Sequence, residues 1–157
     1  MCVVQIGVKI IELQGHRKAC VELWDIPHTI HMSDSILSEY TANAQAIVFV
    51  YNLLNPSSVD TMKHYYQAFQ TPFRSLYGGT LAIPAIVLGN QLDRAEAQKM
   101  KSSAAIQLDT TKIVKMNALQ WTSKISLPHY LVSAKKNTGI SQALKDLLHI
   151  LMSRRQL

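Results

Sequence analysis

Two continuous apolar runs constrain the fold of this chain most strongly. Residues 46–51 and 83–89 each have the length of one strand and carry almost no polar side chain. Such runs are typical of strands that are buried on both faces of a parallel sheet. Each run precedes a segment with helical or polar character, so strands should alternate with helices. The pattern predicts an α/β fold with a doubly wound, mostly parallel sheet.

The part of the chain before the first run predicts a β-hairpin. Residues 3–13 are rich in β-branched side chains, residues 14–17 are turn-like, and residues 18–24 alternate between apolar and polar. A short helix is expected at 33–40. The order from there on is strand, helix, strand, helix, strand, helix, which adds one antiparallel hairpin to the parallel sheet.

The helix after the first run is expected to begin with Ser57 as its N-cap and to end at Pro72. One apolar stripe is predicted on it, formed by Val59, Met62, Tyr66 and Phe69. Residues 71–82 then predict a long surface loop. Further along the chain, helices are expected at 110–121 and 140–151, and a short strand at 129–132.

Composition bounds the class of protein. The chain has 157 residues, of which 48% are hydrophobic and 17% charged, so one compact domain over 1–157 is expected. The formal charge of +6 is scattered rather than gathered in a stripe, which argues against nucleic-acid binding. Two unpatterned cysteines favour a reducing compartment. No secretion signal or run of about 18 apolar residues occurs, and residues 153–157 lack a cysteine, so we expect a cytoplasmic protein without membrane insertion or prenyl anchor.

Three motifs follow predicted strands: V-E-L-W-D at 21–25, G-N-Q-L-D at 89–93 and S-A-K at 133–135. Their order and spacing resemble the W-D-x-x-G, N-K-x-D and S-A-K motifs of small GTPases of the Ras superfamily. The resemblance covers residues 5–151 and implies a Ras-like G domain. The hairpin, the long loop and the tail without cysteine look most like the Rab-like protein three group.

The last two motifs match the guanine-binding residues of the family. The resemblance implies that Asp93 accepts the guanine amino and imino protons, that Asn90 supports the base, and that the Ala134 N–H reads the guanine carbonyl. Gln91 replaces the family lysine that covers the base and ribose, so this contact is weakened. We therefore expect a vestigial guanine site with five members: Asn90, Asp93, Ser133, Ala134 and Lys135.

The first motif and the start of the hairpin match the switch regions. By resemblance, Asp25 is a vestigial Mg²⁺ position, whereas Gln5 stands where a Thr binds the ion directly. His28 replaces a glycine that approaches the γ-phosphate, and Thr29 replaces the glutamine that orients the attacking water. These departures argue against hydrolysis, and we expect no catalytic residue.

The sequence contains no G-x-x-x-x-G-K-[ST] phosphate loop. In the family that loop, with the strand and helix around it, lies upstream of the residues matched here. Losing about four charge-assisted hydrogen bonds of roughly 1.5 to 3 kcal/mol each would convert a ~pM nucleotide into a ~μM one or weaker. We expect this incomplete domain to bind almost no GTP and to have no cofactor, the alternative being GTP or GDP with Mg²⁺.

The missing family strand would lie between residues 18–24 and 46–51, leaving strand edges open. We expect direct pairing of these two strands, a strand supplied by another chain, or a longer native protein. Candidate contacts with a protein partner or larger assembly are Met32, Ile36 and Tyr40, together with Tyr77, which lies in the predicted loop at 71–82. Oligomerisation would also fit the open edges.

Two functions remain after the motif search. The first is a degenerate small GTPase that serves as a protein-binding or structural subunit. The second is a GTP-hydrolysing, Rab-like switch whose phosphate loop lies upstream of these residues. An oxidoreductase is disfavoured because the six glycines never form G-x-G-x-x-G, and no serine-hydrolase or paired metal-ligand motif occurs.

Overall fold

The computed structural model describes residues 5–13, 15, 18–26, 43–77, 83–101 and 110–154, without the side chains of 70–77 and 99–101. The expectations that lie outside the described residues concern a helix at 33–40, His28, Thr29, Met32, Ile36, Tyr40 and the side chain of Tyr77. The described residues fall into two compact units, one within 1–40 and one within 41–157. Among the described residues, no helix has both the length and the hydropathy needed to cross a bilayer.

The first unit is the predicted hairpin. Strands β1 (Gln5–Glu12) and β2 (Lys18–Asp25) pair antiparallel, from Gln5 opposite Asp25 to Glu12 opposite Lys18. The Lys18–Glu12 ion pair at 4.0 Å is exposed and contributes little. Because side chains alternate along a strand, one hairpin face gathers four exposed apolar residues: Ile6, Val8, Ile10 and Trp24.

The second unit contains the predicted parallel sheet. Its strands are β3 (Ile47–Asn52), β4 (Ala85–Asn90) and β5 (His129–Leu131), in the order β3-β4-β5 with both pairs parallel. Its helices are α1 (Pro56–Tyr77), α2 (Leu92–Lys101), α3 (Thr110–Lys124) and α4 (Ile140–Arg154). The α/β class, the parallel sheet and the antiparallel hairpin are therefore confirmed.

Helices pack on both faces of this sheet, as the doubly wound pattern requires. On one face, Phe49 of β3 meets Tyr66 and Phe69 of α1 edge to face, at 5.6 and 5.9 Å between ring centroids. On the other, α4 packs against β4 in a buried apolar cluster. Its members are Ile86, Leu88, Val132, Ala143 and Leu147. Ile86 is 0% exposed, so this cluster is the centre of the α4 side of the core.

The described strands form two sheets, β1-β2 and β3-β4-β5. Direct pairing of β2 with β3 is one of the three predicted ways to close the gap between these strands, where the family has its central strand. Within the described residues that pairing is not made. The other two ways, a strand from another chain or a longer native protein, stay predictions.

Two expectations for α1 are wrong. The N-cap is Asn55 rather than Ser57, because the Ser57 N–H and hydroxyl both donate to Asn55 Oδ1 at 3.1 and 2.7 Å, and Pro56 occupies the first helical position. The helix also continues through Pro72 to Tyr77, so residues 71–77 are helical rather than loop. A proline removes one backbone hydrogen bond and can be accommodated by a kink, so it does not by itself end a helix.

Candidate guanine-binding site

The turn from β4 into α2 positions the first site motif. Strand β4 ends at Asn90, Gln91 takes a left-handed φ of 69°, and α2 begins at Leu92. The Leu92 N–H donates to the Val132 carbonyl at 3.1 Å, which ties the start of the helix to the neighbouring chain segment. This turn places Asp93 in the first turn of α2, where the helix dipole favours a negative charge.

The loop between β5 and α4 positions the second motif. Ser133 and Thr138 exchange backbone hydrogen bonds of 3.1 and 3.0 Å, which closes the loop. Asn137 and Gly139 have φ values of 53° and 77°, and α4 starts directly after Gly139. The loop therefore has a fixed shape on the end of the sheet next to Asn90.

Side-chain hydrogen bonds join the two loops. Asn90 Oδ1 accepts from the Ala134 N–H at 3.0 Å and from the Gln91 N–H at 2.7 Å. Ser133, which is 1% exposed, donates its hydroxyl to Asp93 Oδ1 at 2.8 Å and accepts from the Lys136 N–H at 3.1 Å. The structure thus brings four of the five expected site residues into direct contact, and Lys135 follows them in the same loop.

Electrostatics keep the Asp93 carboxylate ionised. The Ser133 hydroxyl is the main cause that holds the pKa of Asp93 below its ordinary value, against a smaller opposing effect of burial. Backbone N–H groups of Asp93 and Arg94 and the charge of Lys135 add to it. An ionised carboxylate is an acceptor only, so it suits the N–H donors of a guanine base.

The Ala134 N–H, which the resemblance assigns to the guanine carbonyl, donates to Asn90 in this structure. A base carbonyl at the same position would share this N–H with the Asn90 amide oxygen or displace it. The Gln91 side chain accepts from Arg94 Nη1 at 3.3 Å along α2. The arrangement can therefore contact a flat polar ring, with weaker coverage than the family lysine would give.

The sequence-based predictions did not include a pair beside the site, which is formed by the buried Tyr51 and the half-buried His129. The Tyr51 hydroxyl lies 2.9 Å from His129 Nε2, and the two rings stack at 5.7 Å with an interplanar angle of 15°. Tyr51 also approaches Gly89, the residue before Asn90, since a Cβ added there would lie 2.6 Å from the Tyr51 hydroxyl oxygen. The pair is 78 residues apart in sequence, and only the glycine at the end of an apolar strand hints at a close approach.

Burial sets the ionisation of this pair. It raises the pKa of Tyr51, and together with the charge of Lys115 it lowers the pKa of His129 below 6.5. The His129 imidazole is therefore neutral at pH 7, so its Nε2 can accept a hydrogen bond from the Tyr51 hydroxyl.

The free energy of unfolding is expected to decrease as pH falls below about 6.5. His129 has the lower pKa in the folded state, so the unfolded chain binds its proton first and gains from acidification. The stabilisation is fully present at pH values above the pKa of His129 in the unfolded chain. It is lost as the pH falls through the pKa of His129 in the folded chain. Urea unfolding at pH values between about 7.5 and 5 measures this loss of stability.

The variant His129→Phe should reduce this pH dependence, because it removes the group whose pKa is lowered on folding. An equal slope in His129→Phe and the unaltered chain would contradict the assignment.

The described switch positions lie at the open end of the hairpin. Gln5 and Asp25 face each other across β1 and β2, and both are exposed. No group of three or more His, Cys, Asp or Glu side chains that could hold a metal occurs in the described ranges. Mg²⁺ is usually held by one or two carboxylates together with substrate phosphates and waters, so Asp25 would supply one part of such a site.

The parallel sheet, the hairpin and the two joined loops together define a small-GTPase-like protein. The sequence profile of the Ras family matches residues 2–153, and the chain belongs to that family. This agrees with the order of the three motifs along the sequence.

Two Rab proteins are similar to this chain. It is 27% identical over 132 residues to the Ras-related protein Rab-7a of Paramecium octaurelia, covering 83% of this chain and 56% of that protein. It is 26% identical to the Ras-related protein Rab-7b of the same organism, again over 132 residues, 83% of this chain and 56% of that protein. The chain thus spans about half the length of the curated relatives it matches, and it is Rab-like. The finer resemblance to the Rab-like protein three group stays a prediction.

Proposed function

We propose that this chain is a degenerate small GTPase that serves as a protein-binding or structural subunit and retains little nucleotide. One observation carries the proposal: hydrogen bonds join the two loops of the base site, whereas Gln5, opposite Asp25 in the hairpin, replaces the hydroxyl that the resemblance assigns to direct Mg²⁺ binding. Recognition of a base contributes only part of the affinity for a nucleotide, and the phosphates and their ion supply most of the charge-assisted contacts.

The replacements around the phosphates support the same conclusion. Gln5 substitutes a long amide for a hydroxyl ligand of Mg²⁺, and His28 and Thr29 replace the family residues that approach the γ-phosphate and position water. Each change removes an interaction that matters for phosphoryl transfer. All three replacements lie within residues 5–29 of the chain.

The exposed face of the hairpin supports a role in protein binding. Ile6, Val8, Ile10 and Trp24 are 55%, 66%, 67% and 52% exposed and share one face. A contiguous exposed apolar face of this kind marks an interaction surface in soluble proteins, and Trp is the residue type most enriched among binding hot spots. We place this role in the cytosol, in line with the two unpatterned cysteines.

Nucleotide content tests the proposal. The 157-residue chain is purified without added nucleotide and denatured, and the released nucleotide is quantified by ion-exchange chromatography. We expect far less than one mole of GDP or GTP per mole of chain, because a ligand bound at ~μM or weaker is lost during purification. A stoichiometric amount of guanine nucleotide would refute the proposal.

One observation favours the second function, a GTP-hydrolysing Rab-like switch. The base site is assembled from ordered loops, with the Asp93–Ser133 and Asn90–Ala134 bonds in place. Intact-mass measurement of the native protein separates the two functions. An upstream extension of about 20 to 40 residues with a phosphate loop would support the switch, and its absence would support the degenerate protein.

A further inference from the structure

The Tyr51 side chain bridges two strands that are not neighbours. Tyr51 lies on β3 and His129 at the start of β5, and β4 runs between them in the sheet. The Tyr51 hydroxyl crosses β4 at Gly89, which is its partner in the β3–β4 ladder, and lies 2.9 Å from His129 Nε2. This crossing needs a glycine, because an added Cβ would lie 2.6 Å from the hydroxyl oxygen. One hydrogen bond thus connects the first and third strands of this sheet across the middle one.

The bridged strands carry the two loops of the base site. Gly89 directly precedes Asn90, and its carbonyl accepts from the Val132 N–H at 2.9 Å. The Val132 carbonyl in turn accepts from the Leu92 N–H at 3.1 Å, at the start of α2. The bond of 3.0 Å between Asn90 and Ala134 follows directly beyond these contacts. A shift of β5 against β4 would therefore reach the joined loops through the bonds of Gly89 and Val132.

Burial fixes the hydrogen-bond roles within the pair. Tyr51 is 2% exposed, and among the described residues His129 is the hydrogen-bond partner of its hydroxyl. A buried hydroxyl donates where an acceptor is available, so Nε2 accepts and the ring proton of neutral His129 lies on Nδ1. A further proton would bind at Nε2 and turn this acceptor into a donor. The Tyr51 hydroxyl would then have to turn its own hydrogen away, so the O–H···N bond of the neutral pair would break.

The groups around His129 disfavour its charged form. Burial is the main cause that lowers the pKa of His129, and the positive charge of Lys115 on α3 adds to it. Burial raises the pKa of Tyr51 on β3, which stays neutral, and β4 has no titratable side chain. On the α4 side of the sheet, Tyr130 donates to Asp146 at 2.9 Å. Among the described residues no carboxylate forms an ion pair with His129.

This environment links the proton to opening of the site. In an opened form water reaches the imidazole, so burial no longer opposes its charge and the proton binds more readily there than in the closed form. A ligand that binds one of two forms more tightly shifts the population towards that form. Acidification should therefore favour the opened form.

We propose that the hydrogen bond between Tyr51 and His129 is an acid-sensitive latch for the base site: when His129 binds a proton, the bond breaks and the two joined loops loosen. The latch controls the shape of the loops and not the amount of nucleotide that they hold. The proposal therefore goes beyond the proposed function, and either of the two can fail without the other.

Amide hydrogen exchange of the 157-residue chain, followed by NMR between about pH 7.5 and 5, tests the latch. Each rate is divided by the intrinsic rate at the same pH, which gives a protection factor. The Leu92 and Val132 amides report on the two loops, and the amide of the buried Leu147 in α4 reports on the core. We expect the protection of the loop amides, relative to Leu147, to fall by about threefold or more. The midpoint of this fall should coincide with the titration midpoint of the His129 ring resonance.

Removal of the charge of Lys115 supplies the decisive readout. Lys115→Gln should raise the pH at which His129 binds its proton, so the ring midpoint and the loop midpoint should move to higher pH together. Misfolding cannot produce such a joint shift. Lys145→Gln is the control, since Lys145 is exposed on α4, which packs on the other face of the sheet. It should leave both midpoints within about 0.2 pH units of their original values.

The variant His129→Gln tests the need for a titrating group. Glutamine has a side-chain oxygen that can accept from the Tyr51 hydroxyl, and it does not titrate in this pH range. Its loop amides should keep their protection down to about pH 5. A fall as large as that of the unaltered chain would contradict the latch.

Three further results would overturn the proposal. The first is a protection of the loop amides that does not change across the His129 midpoint. The second is an equal fall at Leu147, which would show that acid acts on the whole fold and not on the loops. The third is a loop midpoint that stays in place while Lys115→Gln moves the His129 midpoint. Thermal melting followed by circular dichroism checks that each variant is folded.

Discussion

Replacing Gly139 with alanine is expected to lower the free energy of unfolding by about 2 to 4 kcal/mol. Gly139 has a φ of 77°, a conformation that costs an L-residue roughly 1 to 2 kcal/mol. An added Cβ would also lie 2.9 Å from the Leu131 carbonyl oxygen and 3.2 Å from Val132 Cγ1. The first of these atoms belongs to the backbone of β5 and has little freedom to move. Urea unfolding of the 157-residue chain measures the loss.

Gly15→Ala is the matched control for this prediction. Gly15 has nearly the same φ, 74°, but no heavy atom lies within 4 Å of the position that an added Cβ would take. Only the backbone cost of about 1 to 2 kcal/mol should remain there. Equal losses in the two variants would show that the contact with β5 contributes nothing.

Replacing Gly89 with alanine is expected to cost about 2 to 3 kcal/mol. The new Cβ would lie 2.6 Å from the Tyr51 hydroxyl oxygen and 2.8 Å from Cζ. Tyr51 is 2% exposed, and its hydroxyl is hydrogen-bonded to His129, so the ring cannot swing away without breaking that bond. Because Gly89 precedes Asn90, the displaced ring or strand should also disturb the base site.

A double-mutant cycle with Tyr51→Phe separates this clash from a general effect on β4. Removing the hydroxyl takes away the closest atom, so Gly89→Ala should cost less in the Tyr51→Phe background, with a coupling of about 0.5 kcal/mol or more. Strict additivity of the two substitutions would contradict the proposed contact. Gly7→Ala, where a Cβ meets no atom within 4 Å, controls for glycine replacement in a strand.

The strands could be predicted from sequence because they are buried on both faces. The apolar run at 46–51 corresponds to β3 at Ile47–Asn52, and the run at 83–89 to β4 at Ala85–Asn90. Once two parallel strands are placed, their carboxyl ends must share one edge of the sheet. The contact between Asn90 and Ala134, 44 residues apart, follows from that rule together with the two motifs.

Local choices among similar residues could not be predicted in the same way. Asn55, Ser57 and Ser58 are all capping residue types, but Ser57 donates to Asn55 Oδ1, and the Ser58 hydroxyl accepts from the Asn52 N–H at 2.9 Å and donates to the Asn55 carbonyl at 2.6 Å. The stacking of Tyr51 on His129 depends on the register between strands that are far apart in sequence. The apolar pattern of one strand does not by itself give the register against a strand that lies far away in the sequence.

The central claim is that a joined base site does not by itself retain a nucleotide. Calorimetric titration of the purified 157-residue chain with GTP and with GDP, each with and without Mg²⁺, measures this claim. We expect a dissociation constant no tighter than about 1 μM and no more than a small effect of Mg²⁺. Submicromolar binding that requires Mg²⁺ would contradict the claim and identify the chain as a working guanine-nucleotide binder.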